Sequence, residues 1–298
     1  MGAARLTPER HTGQQLFVTL QRYLPQHLLS RAMHAFAGSE IAPLKNLTIR
    51  AFLAGYHPDM SEAAQPDPYR YRSFNAFFTR ALAPGARHVD LDPAALVSPV
   101  DGTVSQIGRI VAGLLPQAKG STYTVEALLA SSSWAQRFAG GAFATLYLAP
   151  FNYHRVHAPL AGTLRAAWYT PGHLFSVNAV TAAAVPQLFA RNERVTCILE
   201  DGPLTYALVL VGALLVGSIE TVWHGQITPA RVHKPASLPL TAERAPLALT
   251  KGAEIGRFNM GSTVILLLPA GAVEWLPELV PGSPVRMGQM LGRLRAQP

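Results

Sequence analysis

The sequence predicts an α+β fold, a β-rich core preceded by N-terminal helices. Three observations carry this. The first sixty residues place apolar side chains at helical spacing, as in Leu29, Ala32, Met33 and Phe36 of "LSRAMHAFAG". From about Val97 onward, short Val/Ile/Leu runs are broken by Gly and Pro, the spacing of strands in a sandwich or barrel. Finally, Pro99-Val-Asp-Gly-Thr-Val104 is echoed by Pro159-Leu-Ala-Gly-Thr-Leu164, each reading as a proline, a turn glycine and a strand.

Taken in chain order, Pro25 and Pro43 bound the first helical segment, and Gly38 is a helix stop within it. This N-terminal region carries six Lys/Arg (Arg5, Arg10, Arg22, Arg31, Lys45, Arg50) against three acids (Glu9, Glu40, Asp59). A basic amphipathic helix can lie in a membrane interface or pack on the main domain or a dimer mate, and amphipathicity serves all of these. "AAQPDPYRYRS" reads as a loop, which divides a region 1–65 from a β-rich domain 66–298. "SFNAFFTRAL" follows as a short helix with Ser73 as N-cap and its phenylalanines in the core. Beyond Val97 one helix is expected, near "SVNAVTAAAVPQLFARNE". The apolar run 206–219 is shorter than the roughly 20 residues a spanning helix needs, and Gly212 and Gly217 suggest strands bent at a glycine. No transmembrane helix and no signal peptide are expected.

Composition narrows the function classes. Apolar residues make up 49% of 298 and charged residues only 14%, which excludes a disordered chain. The single cysteine, Cys197, excludes an internal disulfide and any cysteine metal cluster. A net charge of +8 favours anionic partners, but no Lys/Arg cluster is interleaved with aromatics, so a membrane surface fits better than nucleic acid.

Three stretches carry candidate chemistry. Asp101 lies in "SPVDGTV", where the echo has Ala161, so the turn does not demand an aspartate. His154 and His157 lie in "APFNYHRVHAP", flanked by Pro150 and Pro159. On such an extended segment residues three apart face opposite ways, so a shared metal site is disfavoured and no metal is expected. Ser262 opens "GSTVILLLP", a small polar trio ahead of an aliphatic strand. A turn explains it, and so does a serine placed for chemistry. An Asp…His…Ser order exists if Asp101, His157 and Ser262 converge. A G-x-S-x-G elbow is absent around Ser262.

Together, "SPVDGTVSQIG", "YLAPFNYHRVHAPLAGTL", "GHLFSVNAVTAAAVPQLFARNERV", "VGALLVGSIETVW" and "GAEIGRFNMGSTVILLLP" closely resemble the phosphatidylserine decarboxylases of the bacterial membrane-associated kind. The resemblance covers nearly the whole chain. The family's Leu-Gly-Ser-Thr cleavage motif reads Met260-Gly261-Ser262-Thr263 here, a swap of similar volume. The resemblance implies a zymogen that cuts itself between Gly261 and Ser262, giving a β chain 1–261 and an α chain 262–298 that stay associated. Ser262 becomes a pyruvoyl group, which forms a Schiff base with the amine of phosphatidylserine and accepts electrons as carbon dioxide leaves. It also implies that Asp101 and His157 act with Ser262 in cleavage, and that His154 serves decarboxylation to phosphatidylethanolamine. The further implications are peripheral attachment to an anionic membrane on the cytoplasmic face, and a homodimer.

Two other readings stand beside this one. The final stretch and the proline–glycine echo also resemble a biotinyl/lipoyl carrier module, a barrel-sandwich of two hammerhead halves. Such a module needs a modifiable lysine at a hairpin tip, and none of Lys45, Lys119, Lys234 and Lys251 lies in a Met-Lys tip. The likeness is therefore a clue to fold. A Ser-His-Asp hydrolase without self-cleavage is the second alternative.

Overall fold

The computed structural model describes residues 8–215, 218–228, 234–240, 247–259 and 261–295; Gly217 and Met260 lie outside the described residues. The expected α+β class holds, with helices first and a large sheet after them.

Helices α1 (Pro8–Tyr23), α2 (Gln26–Ala37) and α3 (Ala42–Tyr56) form the N-terminal region. The proline and glycine signals fall at their ends. Pro25 precedes α2, the Gly38 amide closes it on the His34 carbonyl at 2.9 Å, and Pro43 sits in the first turn of α3. Helix α4 (Phe74–Phe78) is capped as expected, with Ser73 Oγ accepting from the Ala76 amide at 3.1 Å. Its phenylalanines are core. Phe52 of α3 meets the rings of Phe74, Phe77 and Phe78 edge-on at 5.5, 5.8 and 5.7 Å.

The strands that position the site are β1 (Gly102–Arg109), β2 (Ala142–Leu148), β3 (Arg155–His157), β4 (Gly162–Thr170), β5 (Arg194–Asp201), β6 (Leu204–Val211), β7 (Ile219–Thr221), β8 (Glu254–Phe258) and β9 (Ser262–Leu268). Six of them run antiparallel in the order β4-β5-β6-β9-β2-β1, the body of a nine-stranded sheet. The ladder stays open among the described residues and does not close into a barrel. A second sheet pairs β7, β8 and β3.

Both faces of the main sheet are covered. Val264, Leu266 and Leu268 join one apolar core, and Ile265 and Leu267 join another. This is why "VILLL" shows no alternation of polar and apolar residues. The two echo segments run side by side, with the Val97 amide on the Pro159 carbonyl (3.1 Å) and the His157 amide on the Pro99 carbonyl (2.8 Å). Their glycines each open a strand where the backbone meets a neighbour. A Cβ on Gly162 would lie 3.0 Å from Tyr206 Oη and 3.1 Å from the Glu200 carbonyl oxygen. On Gly102 it would collide with the Tyr147 carbonyl oxygen.

The helix count departs from expectation. Short helices at Val125–Leu129 and Ser132–Arg137 interrupt the β-rich part. The expected helix near residue 180 is two, Ala179–Ala184 and Leu188–Arg191, parted at Val185–Gln187 around Pro186. Each of the first three starts on a side-chain cap, from Thr124, Ser131 and Asn178.

Because β9 is buried on both faces, truncating its middle leaves a cavity no side chain can fill. Leu266→Ala is expected to lower unfolding stability by about 2–5 kcal/mol in denaturant titration.

Candidate active site

Ser262 is the first residue of β9, paired with Leu148 at the end of β2. Burial there is complete, and its Oγ has no hydrogen-bond partner; the same holds for Thr263 Oγ1. Two unsatisfied hydroxyls at the head of a core strand run against the rule that buried polar groups are paired. Gly261 precedes them. A Cβ built there would meet the Leu148 carbonyl oxygen at 3.5 Å and His154 Cε1 at 4.0 Å, both ordinary contacts. Packing therefore does not demand the glycine. What it provides is an unshielded carbonyl carbon beside a serine hydroxyl.

The β2–β3 connection, residues 149–154, wraps this point and brings His154 against it. The imidazole of His154 is fully buried and stacked on Phe78 of α4, with ring centroids 4.1 Å apart. Its Nε2 lies 3.2 Å from the Pro150 carbonyl oxygen. A carbonyl only accepts, so Nε2 carries the proton and Nδ1 holds a bare lone pair. That Nδ1 is buried without a partner. Burial pushes the His154 pKa down to about 3, and the Arg80 charge adds to the shift. The ring is a neutral base held out of water beside the Gly261–Ser262 peptide.

His157 is in a different state. Its Nδ1 donates to the Gly252 carbonyl at 2.8 Å, which leaves Nε2 to accept from the Tyr153 hydroxyl at 2.9 Å. Burial again lowers its pKa, while the bond to Gly252 and the charges of Glu254 and Asp101 oppose the shift. Asp101 lies on the neighbouring echo segment. Its carboxylate takes a two-pronged ion pair from Arg87, with Nε to Oδ1 at 3.0 Å, and the Met287 amide at 2.8 Å. Arg87 also binds Glu62 at 2.8 Å.

The structure thus sets Asp101 within electrostatic reach of His157, and His154 beside Gly261 and Ser262. Among the described residues no hydrogen bond joins His157 to Asp101 or to Ser262. Three residues with no site role in the sequence reading complete these contacts: Tyr153 on His157, Arg87 on Asp101, and Phe78, expected only as core, on His154. Only Tyr153 had a signal, its place beside His154 in "NYHRVH".

A cavity of about 260 Å³ opens onto Gly261. Phe52 and Tyr56 of α3 and Tyr147 of β2 form much of its wall, and Ser176 and Asn178 add polar groups from the loop after β4. Such a cavity, mostly apolar with a few convergent polar groups, suits a small polar head joined to an apolar body. No group of His, Cys, Asp and Glu among the described residues is arranged to hold a metal ion.

The buried histidines carry a pH signature. Above its ordinary value of 6.5, His154 is neutral folded or unfolded, and its contribution to stability is intact. As pH falls from 6.5 toward about 3, the unfolded chain takes up a proton the native ring refuses, and stability is lost. His154→Gln is expected to flatten the fall in unfolding free energy below pH 6.5 by up to about 1.4 kcal/mol per pH unit, read from denaturant titrations at stepped pH.

Comparisons with known proteins identify the family. A family model described as phosphatidylserine decarboxylase matches residues 74–293, and a second, described as PSD, matches residues 16–57. A phosphatidylserine decarboxylase proenzyme of Pseudomonas fluorescens strain Pf-5 is 54% identical over 282 residues, covering 94% of this chain and 97% of that protein. Proenzymes of the same name are 51% identical in Ectopseudomonas mendocina, over 94% of this chain and 98% of theirs, and 51% identical in Bordetella pertussis, over 93% and 94%. With a matching domain from α4 to the last strand and half of all positions shared across nearly the whole length, the chain belongs to the phosphatidylserine decarboxylase family.

Proposed function

We propose that this chain is a proenzyme that cuts itself between Gly261 and Ser262 and then decarboxylates phosphatidylserine to phosphatidylethanolamine. The observation that carries the proposal is the buried, unpartnered Ser262 Oγ behind a glycine carbonyl at a cavity wall, beside an unpartnered histidine nitrogen.

In maturation, Ser262 Oγ loses its proton and attacks the Gly261 carbonyl carbon, exchanging an amide for an ester. β-Elimination breaks the ester C–O bond and frees residues 1–261 with a new carboxylate at Gly261. The dehydroalanine left at position 262 tautomerises and is hydrolysed, releasing ammonia and leaving a pyruvoyl group at the head of β9. The unmet hydroxyls, the open glycine and the mostly apolar cavity are a setting that fits this group. When formed, its carbonyl supplies the electron sink for loss of carbon dioxide.

The remaining work falls to side chains. Asp101 favours positive charge on His157, and Tyr153 joins His157 to the 149–154 loop, so these residues suit the proton traffic of cleavage. His154, neutral and unsolvated at Nδ1, suits a proton transfer at the reacting carbon in the cavity. Ser176, Asn178 and Tyr147 are positioned for the polar headgroup.

The acyl chains need a route to a bilayer. Leu16, Phe17, Leu20 and Tyr23 of α1, Leu24 just after it and Leu28 of α2 form an exposed apolar stripe. No helix among the described residues is long and apolar enough to cross a membrane. Peripheral seating by this stripe accounts for both facts. A carrier module would leave the buried serine and histidine without a purpose, and a simple hydrolase would not explain a serine sealed from water.

Ser262→Ala is expected to yield one uncut chain with no decarboxylase activity; intact mass and carbon dioxide release check both. His154→Ala is expected to be cut yet lose turnover by about 100-fold or more. An uncut His154→Ala protein would instead make His154 the base in cleavage, since its ring packs against Gly261. Replacing Leu16 and Leu20 with glutamate is expected to weaken co-flotation with phosphatidylcholine–phosphatidylglycerol vesicles by about tenfold or more.

A further inference from the structure

Residues 172–178 supply the Ser176 and Asn178 wall of the cavity, yet apart from one bridge, from His173 to Asn192, they have no strand partner. Their backbone is held instead by side chains from two sides. From the core, Asn192 closes on Phe175, with Phe175 N–H to Oδ1 at 3.1 Å and Nδ2 to the Phe175 carbonyl at 2.8 Å. From the opposite side come the N-terminal helices. The Ser176 amide donates to Gln21 Oε1 and the Leu174 amide to Gln26 Oε1, both at 2.7 Å. His27 Nε2 donates to the Gly172 carbonyl at 3.0 Å.

The alternation is that of an extended strand. The Leu174 and Ser176 amides point to the helices, while the Phe175 amide and carbonyl point to Asn192. The two glutamines also brace each other, with Gln26 Nε2 donating to the Gln21 carbonyl at 2.6 Å. Gln21 Nε2 reaches Thr181 Oγ1 at 3.4 Å, in the short helix that follows Asn178. Both glutamines are buried on helices that also carry exposed apolar side chains. Each glutamine aims its buried side-chain oxygen at an amide that no strand pairs, and so satisfies that backbone.

We propose that Gln21 and Gln26 are positioning residues that hold the headgroup wall of the cavity, so that the helices bearing the membrane-facing stripe also set the affinity for substrate. This rests on the decarboxylase reading above. Neither glutamine touches Ser262, His154 or His157, so self-cleavage is expected to proceed without them.

The test uses the full chain after self-cleavage. In the wild type, the Leu174 and Ser176 amides are expected to exchange with deuterium at least about 100-fold more slowly than open loop amides. Gln21→Met and Gln26→Met keep side-chain length and remove the acceptor. Retained self-cleavage reports that each variant has folded. Exchange at Leu174 and Ser176 is expected to quicken by about tenfold or more, with β9 unchanged. With a short-chain phosphatidylserine below its micelle concentration, KM is expected to rise about tenfold and kcat to stay within about twofold. Omitting the bilayer prevents weaker membrane attachment from imitating the effect.

Unprotected wild-type amides, or an unchanged KM in both variants, would overturn the proposal. A fall in kcat with KM unmoved would do the same. Should wild type turn over no phosphatidylserine at all, the functional reading fails instead, while the exchange comparison still decides whether the glutamines hold the loop. Should Gln21→Met not fold, Gln26→Met and the wild-type exchange rates carry the test.

Discussion

Everything at the site depends on the placement of one strand. Residues Ser262–Leu268 pair with β2 on one side and β6 on the other, and apolar cores cover both faces. A strand so placed cannot shift register without moving five aliphatic side chains between two cores. Ser262 therefore has a fixed position relative to Leu148, and so relative to the loop that carries His154. The same placement makes a cut tolerable. Cleavage before Ser262 would sever the chain at the strand's edge and leave its ladders to both neighbours intact. The fragment 262–298 would remain bound by the sheet itself.

Burial also sets the chemistry of the two histidines. On an extended segment, residues three apart diverge, and the chain uses this to give them unlike surroundings. His157 has both nitrogens satisfied, one by a carbonyl and one by Tyr153. His154 has one nitrogen satisfied and one bare, and its pKa is pushed down to about 3 by the loss of water. A ring with so low a pKa does not stay charged at neutral pH. It is suited to borrow a proton briefly in a step where charge develops next to it.

The legible parts of the fold were those written in local pattern. Pro25, Gly38, Pro43 and Ser73 marked helix ends because capping and proline geometry act within a few residues. The echo of Pro99–Val104 in Pro159–Leu164 marked two strand openings, and the pairing of these segments brings Asp101 near His157. The helices Val125–Leu129 and Ser132–Arg137 are too short to show a period of 3.6 and were not expected. The contacts that finish the site were not legible either. Arg87 on Asp101 and Gln21 on Ser176 join residues 14 and 155 positions apart, and nothing in either local sequence marks a partner. The motif around Gly261 and Ser262 spoke for itself only through family resemblance. Its physical meaning, a hydroxyl with nothing to bond, came from burial.

The N-terminal helices differ in composition from the rest of the chain but are not detachable from the site. Phe52 and Tyr56 of α3 form part of the cavity wall, and Phe52 also packs on α4, whose Phe78 stacks on His154. The dryness that keeps His154 neutral thus relies on side chains from the region that bears the exposed apolar stripe. Pulling those helices away would let water reach the imidazole, remove the main cause of its low pKa, and loosen the Ser176 wall together. A site built this way is complete only while the helices are seated on the core.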